Sequence, residues 1–314
     1  MLMPWLLSGL GLVILLLAGD ALVKGAVNLS LRLGVPALIV SLTIVAFGTS
    51  APELLISIKA VLDNASGIAM GNVVGSNTAN ILLVLGIPAL MATMHTSECK
   101  TRKTYNYMIA ASLLFIGLAY RGVFDWLAGL VLLGGLAYVL GDAFRDAGKH
   151  RAKNREEEEP EGADPDMPGW QIAVFLVLGL IGLPLGASLL VDNATIIARA
   201  YGVSDTVIGL TLVAIGTSLP ELATTVMAAL RRQADVALGN VIGSNMFNLL
   251  AIIGVASLVG PIAVDPAFLR FDLWVMLGAS LLLIPFVYLR KDITRNWGIA
   301  LSALYVLYLI VVLV

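Results

Sequence analysis

The sequence has 314 residues, of which 59% are hydrophobic and only 13% charged, with a formal net charge of −2. That composition excludes a soluble domain and places the chain among polytopic membrane proteins. The lack of a basic stripe argues against a nucleic-acid partner, and a single cysteine, Cys99, excludes an internal disulfide.

Ten apolar segments, each near the ~20 residues a helix needs to cross a bilayer, follow one another: 4–30, 36–62, 68–93, 104–120, 124–142, 169–198, 205–230, 235–260, 271–289 and 295–313. No Lys or Arg precedes Lys24, so the first run lacks the basic start of a signal peptide and reads as a spanning helix. The strongly polar stretch Arg145–Asp166 carries a basic run and then Glu156–Glu159, Glu161, Asp164 and Asp166. It is too short for a folded domain and reads as a solvated linker. The expected organisation is a five-helix repeat over 1–143, a charged linker over 144–168 and a second five-helix repeat over 169–314.

Basic residues set the orientation. With the linker cytoplasmic, the inner loops hold Arg32, Lys100, Arg102, Lys103, Arg231, Arg232, Arg290, Lys291 and Arg295. The outer ends hold Lys59, Arg121, Arg199 and Arg270. Both termini are then expected outside, in a multi-pass protein of the inner (plasma) membrane.

The two halves repeat one another. GTSAPE at Gly48–Glu53 returns as GTSLPE at Gly216–Glu221, an offset of 168. Ten of the thirteen residues of Leu42–Leu54 recur in Leu210–Leu222, and GNVVGSN at Gly71–Asn77 recurs as GNVIGSN at Gly239–Asn245. Asn80 recurs as Asn248 and Gly34 as Gly202. Five spans per half make an odd number, so the second half is expected upside down relative to the first. That is an all-α fold of two inverted repeats, the plan of secondary transporters with a site at the midplane.

A glutamate near the middle of a spanning segment costs roughly 2.5–3.5 kcal/mol on insertion scales, so two at matched positions read as one site. Pro52 and Pro220 lack an N–H, so a carbonyl four residues back loses its helical partner. Freed carbonyls at membrane depth face protein or a polar cavity. Thr49 and Ser50 lie four and three residues before Glu53, on its face; Thr217 and Ser218 do the same for Glu221. Ser76 and Asn80 share a face of the second element, as do Ser244 and Asn248. Gly71 and Gly75, with Gly239 and Gly243, are expected to allow close helix approach. Every donor is oxygen, which favours a hard cation such as Ca2+ over zinc or copper. One Ca2+, or two or more Na+, neutralises the two carboxylates, and protons compete for the same pair.

At these residues the chain resembles the calcium/cation antiporter superfamily and, within it, the sodium/calcium exchangers; it looks like a compact prokaryotic member. The resemblance implies that Glu53 and Glu221 are the carboxylates shared by the calcium and sodium sites. It implies hydroxyl or carbonyl ligands at Thr49, Ser50, Thr217 and Ser218, and backbone-carbonyl sodium ligands at Ala46 and Ala214. It implies hydroxyl ligands at Ser76 and Ser244 and a central amide at Asn80. Asn248 departs from relatives with aspartate there, including potassium-dependent exchangers, which weighs against potassium. The glutamate that proton-coupled exchangers carry in the second element is absent: Gly75 and Gly243 stand in its place.

The function expected is therefore Na+/Ca2+ antiport by alternating access, with Na+, Ca2+ and the bilayer as partners, no cofactor and a monomer as the working unit. The alternatives are a Ca2+/H+ or other divalent cation/H+ antiporter and, from another class, a passive cation channel. An enzyme is not expected, since no nucleophile–base or two-aspartate constellation is present. Asp20 and Lys24, four apart on the first helix, are expected to form a structural ion pair.

Overall fold

The computed structural model describes residues 2–153, 164, 166–202 and 214–313. The first half opens with α1 (Leu2–Leu33). Next come α2 (Ala37–Val40), a π-helical turn (Ser41–Val45), α3 (Ala46–Thr49) and α4 (Ala51–Leu62). α5 (Ser66–Ala79) runs through a second π-helical turn (Asn80–Val84) into α6 (Gly86–Met91). α7 (Arg102–Ala119), strand β1 (Val123–Phe124) and α8 (Trp126–Lys153) complete it. The second half repeats the order with α9 (Gly169–Ala200), α10 (Ala214–Thr217) and α11 (Leu219–Leu230). α12 (Ala234–Met246) passes through a π-helical turn (Phe247–Ile252) into α13 (Ile253–Val259). Strand β2 (Ile262–Ala263), α14 (Pro266–Arg270), α15 (Asp272–Leu281), α16 (Ile284–Val287) and α17 (Arg295–Leu313) follow.

Among the described residues six helices are long and apolar enough to cross a bilayer, or seven if the pair Ala37–Thr49 and Ala51–Leu62, bent by 44°, is one span. Residues 205–213 of the predicted 205–230 segment, and Glu156–Glu159 and Glu161 of the linker, lie outside the described residues. The remainder of 205–230 is α10 and α11. α8 continues to Lys153, past the predicted boundary at residue 143.

α1 and α9 are each 32 residues long, about 48 Å of helix, more than a ~30 Å hydrocarbon core requires. They pack antiparallel through small residues. A Cβ on Gly186 would lie 2.9 Å from the Gly11 carbonyl oxygen, and one on Gly179 would lie 2.5 Å from the Leu22 Cβ. Leu6, Leu10 and Leu17 of α1 and Val177, Leu178 and Ile181 of α9 are left exposed. Such apolar outer faces require lipid rather than water. Both helices end on a left-handed glycine, Gly34 (φ 67°) and Gly202 (φ 82°), where a side chain would strain the turn.

The core lies on the other side of this pair, around α5–α6 and α12–α13. Met70, Val73, Ile81 and Leu85 of one half pack in a single cluster with Leu238, Val241, Leu249 and Ile253 of the other. The loops are stitched crosswise. β1, which precedes the last helix of the first half, pairs antiparallel with β2, which follows α13. Reciprocally, Met94 after α6 and Ile293 before α17 exchange two backbone hydrogen bonds of 3.1 Å.

One expectation is corrected here. Asp20 does not pair with Lys24. Its two carboxylate oxygens receive Nε and Nη2 of Arg231, at 2.5 and 2.8 Å, from the end of α11. The planar guanidinium satisfies both oxygens at once, which a lysine on the same helix cannot. Lys24 Nζ instead sits 4.6 Å from the centroid of Phe175.

Candidate functional site

Both GTS-x-PE segments break their helix at the same residue. Ser50 (φ −84°, ψ 4°) separates α3 from α4, and Ser218 (φ −88°, ψ 4°) separates α10 from α11. The proline two residues on cannot continue the ladder inward. Each break places a glutamate in the first turn of the next helix, Glu53 on α4 and Glu221 on α11. Both side chains are 1% exposed. The two carboxylates are close enough for Glu53 to feel the charge of Glu221. Among the described residues neither has a Lys, Arg or His partner. Burying two like charges without counter-ions is costly.

The neighbours of these carboxylates are hydroxyls and amides. Ser50 Oγ donates to Glu221 Oε1 at 3.3 Å, and Thr49 and Ser244 also lie against Glu221. Thr49 Oγ1 lies 3.4 Å from both Ser244 Oγ and Asn240 Oδ1. The carbonyl of Ala46 accepts from Ser50 N–H at 3.1 Å and from Thr49 Oγ1 at 3.3 Å. Ser76 is buried on α5. Thr217 closes α10 and is half-buried, and Ala214 opens that helix.

Six asparagines form the scaffold. Asn80 Nδ2 donates to Asn245 Oδ1, and Asn248 Nδ2 to Asn77 Oδ1, each at 3.0 Å. The amide nitrogens are thereby taken up and the carbonyl oxygens are left over. Asn72 Nδ2 donates to the Glu53 carbonyl (3.1 Å) and Ser57 Oγ (3.0 Å); Asn240 does the same to the Glu221 carbonyl (3.2 Å) and Thr225 Oγ1 (3.1 Å). The glutamate-bearing turns are thus pinned to the next helix of their own half.

The outcome is a set of buried oxygens that no donor satisfies. Among the described residues, Glu53 Oε2, Glu221 Oε2, Asn80 Oδ1, Asn248 Oδ1 and Ser218 Oγ find no hydrogen-bond partner. An orphaned buried acceptor costs about 1–3 kcal/mol, and native proteins rarely tolerate them in groups. Five belonging to the two twin motifs form an arrangement complementary to positive charge. No group of three or more His, Cys, Asp or Glu side chains gathers among the described residues. The oxygens here are two carboxylates supplemented by neutral amides and hydroxyls.

Of the predicted residues, hydrogen bonds join Thr49, Ser50, Ser244 and Glu221, with Asn240, in one group and Asn80 and Asn248, through Asn77 and Asn245, in another. Glu53 meets Asn72 through its backbone carbonyl, and no side-chain hydrogen bond between described residues joins Ser76, Ala214, Thr217 or Ser218 to either group. Sequence reasoning passed over Asn72, Asn240, Asn77 and Asn245, although these stand inside the repeated GN-x-x-GSN segments. The close-approach expectation holds for one half. A Cβ on Gly243 would meet Leu42 O at 2.7 Å and one on Gly239 would meet Leu38 O at 2.9 Å. Among the described residues nothing comes within 4 Å of one on Gly75.

Comparison with known proteins identifies the family. The family model described as sodium/calcium exchanger protein matches residues 3–141 and 171–314. The chain is 36% identical to the sodium/calcium exchanger MaX1 of Methanosarcina acetivorans, covering 96% of both chains. It is 33% identical to the inner membrane protein YrbG of Escherichia coli over 98% of this chain and 96% of that one. A solved structure of the sodium-calcium exchanger NCX_Mj, soaked with Na+ and Sr2+, superposes with a TM-score of 0.82 at 33% identity, covering 97% of each chain. Twin buried carboxylates in duplicated, proline-broken helices therefore sit in a chain that belongs to the sodium/calcium exchanger family.

Proposed function

We propose that the protein exchanges Na+ for Ca2+ across the membrane, using the Glu53–Glu221 site as the shared binding point. The observation that carries this is the set of five orphaned oxygens. Ca2+ takes six to eight oxygen ligands, and a pair of carboxylates is neutralised equally by one Ca2+ or by two or more Na+. Occupancy by one set then excludes the other, which couples the two fluxes. Glu53 and Glu221 supply the charge. Asn80, Asn248, Ser50, Ser218, Thr49, Thr217, Ser76 and Ser244 supply neutral oxygens, with the carbonyls of Ala46 and Ala214 at the helix breaks.

The halves act as inverted repeats of five helices each, with the site at the midplane between them, both termini outside and 144–168 a cytoplasmic linker. The reciprocal hydrogen bonds between halves support this reading, because a two-fold relation makes each contact occur twice. The site is also unequal on its two flanks. Thr49 and Asn240 are buried, whereas their counterparts Thr217 and Asn72 are half-exposed. A site open on one flank and sealed on the other is what alternating access requires of any single state. The monomer holds every proposed ligand, so no second copy is needed.

The test is Ca2+ uptake into vesicles holding purified protein. Uptake should follow an imposed outward Na+ gradient and be lost in Glu53→Gln and Glu221→Gln. Uptake that ignores Na+ and follows a pH gradient would instead establish proton coupling. Uptake driven by the Ca2+ gradient alone would mark a channel.

A further inference from the structure

The α1–α9 pair and the bundle beside it each obey the 168-residue repeat, but the contact between them does not. Within the pair the closest approaches come in duplicate. A Cβ on Gly11 would lie 2.7 Å from Leu190 N and 2.9 Å from the Gly186 carbonyl oxygen. At the exchanged positions, one on Gly179 would lie 2.5 Å from Leu22 Cβ and 3.0 Å from the Ala18 carbonyl oxygen. Within the bundle the asparagine bonds are duplicated in the same way.

Between pair and bundle the duplicates fail. α1 lies close against α11: a Cβ on Gly19 would meet the Ala223 carbonyl oxygen at 3.0 Å and Met227 Cγ at 3.3 Å. Asp20 closes this seam by holding Arg231 through two hydrogen bonds. The repeat carries the seam to Ala187 and Ser188 of α9 and to Leu55, Lys59 and Asp63 at α4. There Ser188 donates to Asp192 of its own helix at 3.0 Å, and no hydrogen bond or ion pair between described residues joins α9 to α4. Ala223 is 7% exposed, whereas its counterpart Leu55 is 69% exposed. Both helix-break glycines face α9, with Leu180 against Gly48 and Val191 against Gly216. The pair is thus seated to one side, with the α1–α11 seam closed and the α9–α4 seam open. Two symmetric parts joined off their common axis have a second seat of the same shape, in which α9 closes on α4.

The two seats have one shape but different chemistry. Asp63 stands where the other half has Arg231, Ser188 where it has Asp20 and Asp192 where it has Lys24. Lys24 and Arg231 line one cavity, so the second seat would set Asp192 beside Asp63 in the same way. Each seat therefore gathers two like charges, and only the first adds an opposite charge, Asp20. We infer that Asp20 and Arg231 are a one-sided latch, positioning residues that hold the protein in the seat with the α1–α11 seam closed. Arg231 stands ten residues, about 15 Å of helix, beyond Glu221, so the latch acts without touching the site. This rests on the alternating-access reading above. A latched carrier keeps its site competent on the α9–α4 side for more of the time, which favours ion loading from that side.

The experiment reads the seam rather than transport. In full-length Cys99→Ser protein carrying Ala223→Cys, a water-soluble maleimide reports on the α1–α11 contact; Met227→Cys, one turn on, is a second reporter. A buried thiol reacts only while its seam is open, so the labelling rate follows the population of the second seat. Asp20→Asn and Arg231→Gln should each speed labelling about five-fold, the upper end for a part-exposed ion pair. The exchanged pair Asp20→Arg/Arg231→Asp should restore the slow rate. A merely structural ion pair would not respond to a change at the other seam. Ser188→Arg, with Asp20 and Arg231 intact, gives Asp63 a partner in the second seat and should also speed labelling. Unchanged labelling in Asp20→Asn and Arg231→Gln, or in Ser188→Arg, overturns the latch. If Ca2+ still alters labelling in that case, the alternating-access reading stands without the latch. If neither Ca2+ nor any variant alters it, both fall.

Discussion

Asn77 and Asn245 each donate their side-chain amide to the other's backbone carbonyl, at 3.2 and 3.4 Å, across the interface of the two halves. Their amide oxygens in turn hold Asn248 and Asn80. Even the outer contacts match: Asn77 Nδ2 lies 3.8 Å from Met276 Sδ, and Asn245 Nδ2 lies 3.8 Å from Met108 Sδ. One four-asparagine knot joins the two halves beside the candidate site.

The knot predicts equal and non-additive losses. Asn77→Ala and Asn245→Ala should each destabilise the protein by about 1–3 kcal/mol, since each leaves buried amide groups without partners. The double variant should lose less than the sum, because the two residues share one network. Thermal unfolding of the four proteins in detergent checks this; strict additivity would separate the two residues energetically.

The orphaned oxygens predict that Ca2+ stabilises the fold. At Ca2+ of about 100 times its Kd, binding to the folded protein alone adds about 2.7 kcal/mol, read as a rise in Tm. Glu53→Gln should lose most of that rise. It should also raise the Tm of the ion-free protein, because one of two buried like charges is gone. A lower ion-free Tm in Glu53→Gln would contradict the uncompensated pair.

The two serines at the helix breaks should separate. Ser50 Oγ donates to Glu221, whereas Ser218 Oγ has no partner among the described residues. Without ions, Ser50→Ala should cost about 1.5–3 kcal/mol, the range for hydrogen bonds to charged groups. Ser218→Ala should be near neutral. Ca2+ titrations should nevertheless show weaker binding in both, since each removes a proposed ligand. Equal ion-free stabilities would remove the asymmetry.

Acid sensitivity should localise in part to Asp292, in the loop before α17. Partial burial pushes its carboxyl up, but hydrogen bonds from Ser97 and the contact with His95 outweigh this and hold it below the ordinary range. A depressed carboxylate stabilises the fold above its unfolded pKa of about 3.9, and that contribution fades as the pH falls through the folded value. The Tm difference between wild type and Asp292→Asn should be constant above about pH 5 and shrink below about pH 4. A difference that widens in acid would reverse the assigned direction.

The α1–α9 contact leaves no room for a methyl group. Gly186→Ala would press on the Gly11 carbonyl and the Leu15 N–H, each 2.9 Å from the new Cβ. A loss of about 1–3 kcal/mol is expected, checked by thermal unfolding. An unchanged Tm would mean the two helices part freely.

Much of this was legible in the sequence because it was written twice. Pro52 and Pro220 marked the breaks at Ser50 and Ser218, and the two glutamates in apolar segments marked the candidate site. The knot was harder to foresee. An asparagine in an apolar helix shows only that it needs partners, and the partners of Asn77 stand 168 residues away. The π-helical turns that open at Asn80 and Phe247 leave no mark in composition. Asp20 chose Arg231 over Lys24 because bidentate geometry across helices beats spacing within one.

The crosswise loops carry a consequence for biosynthesis. Met94 and β1 find their backbone partners at Ile293 and Ile262–Ala263, and the amides of Asn77 and Asn80 find theirs at Asn245. When the ribosome has delivered the chain as far as α8, none of these partners yet exists. The first half must therefore wait in the bilayer with these polar groups unanswered until the second half has been made as far as Ile293.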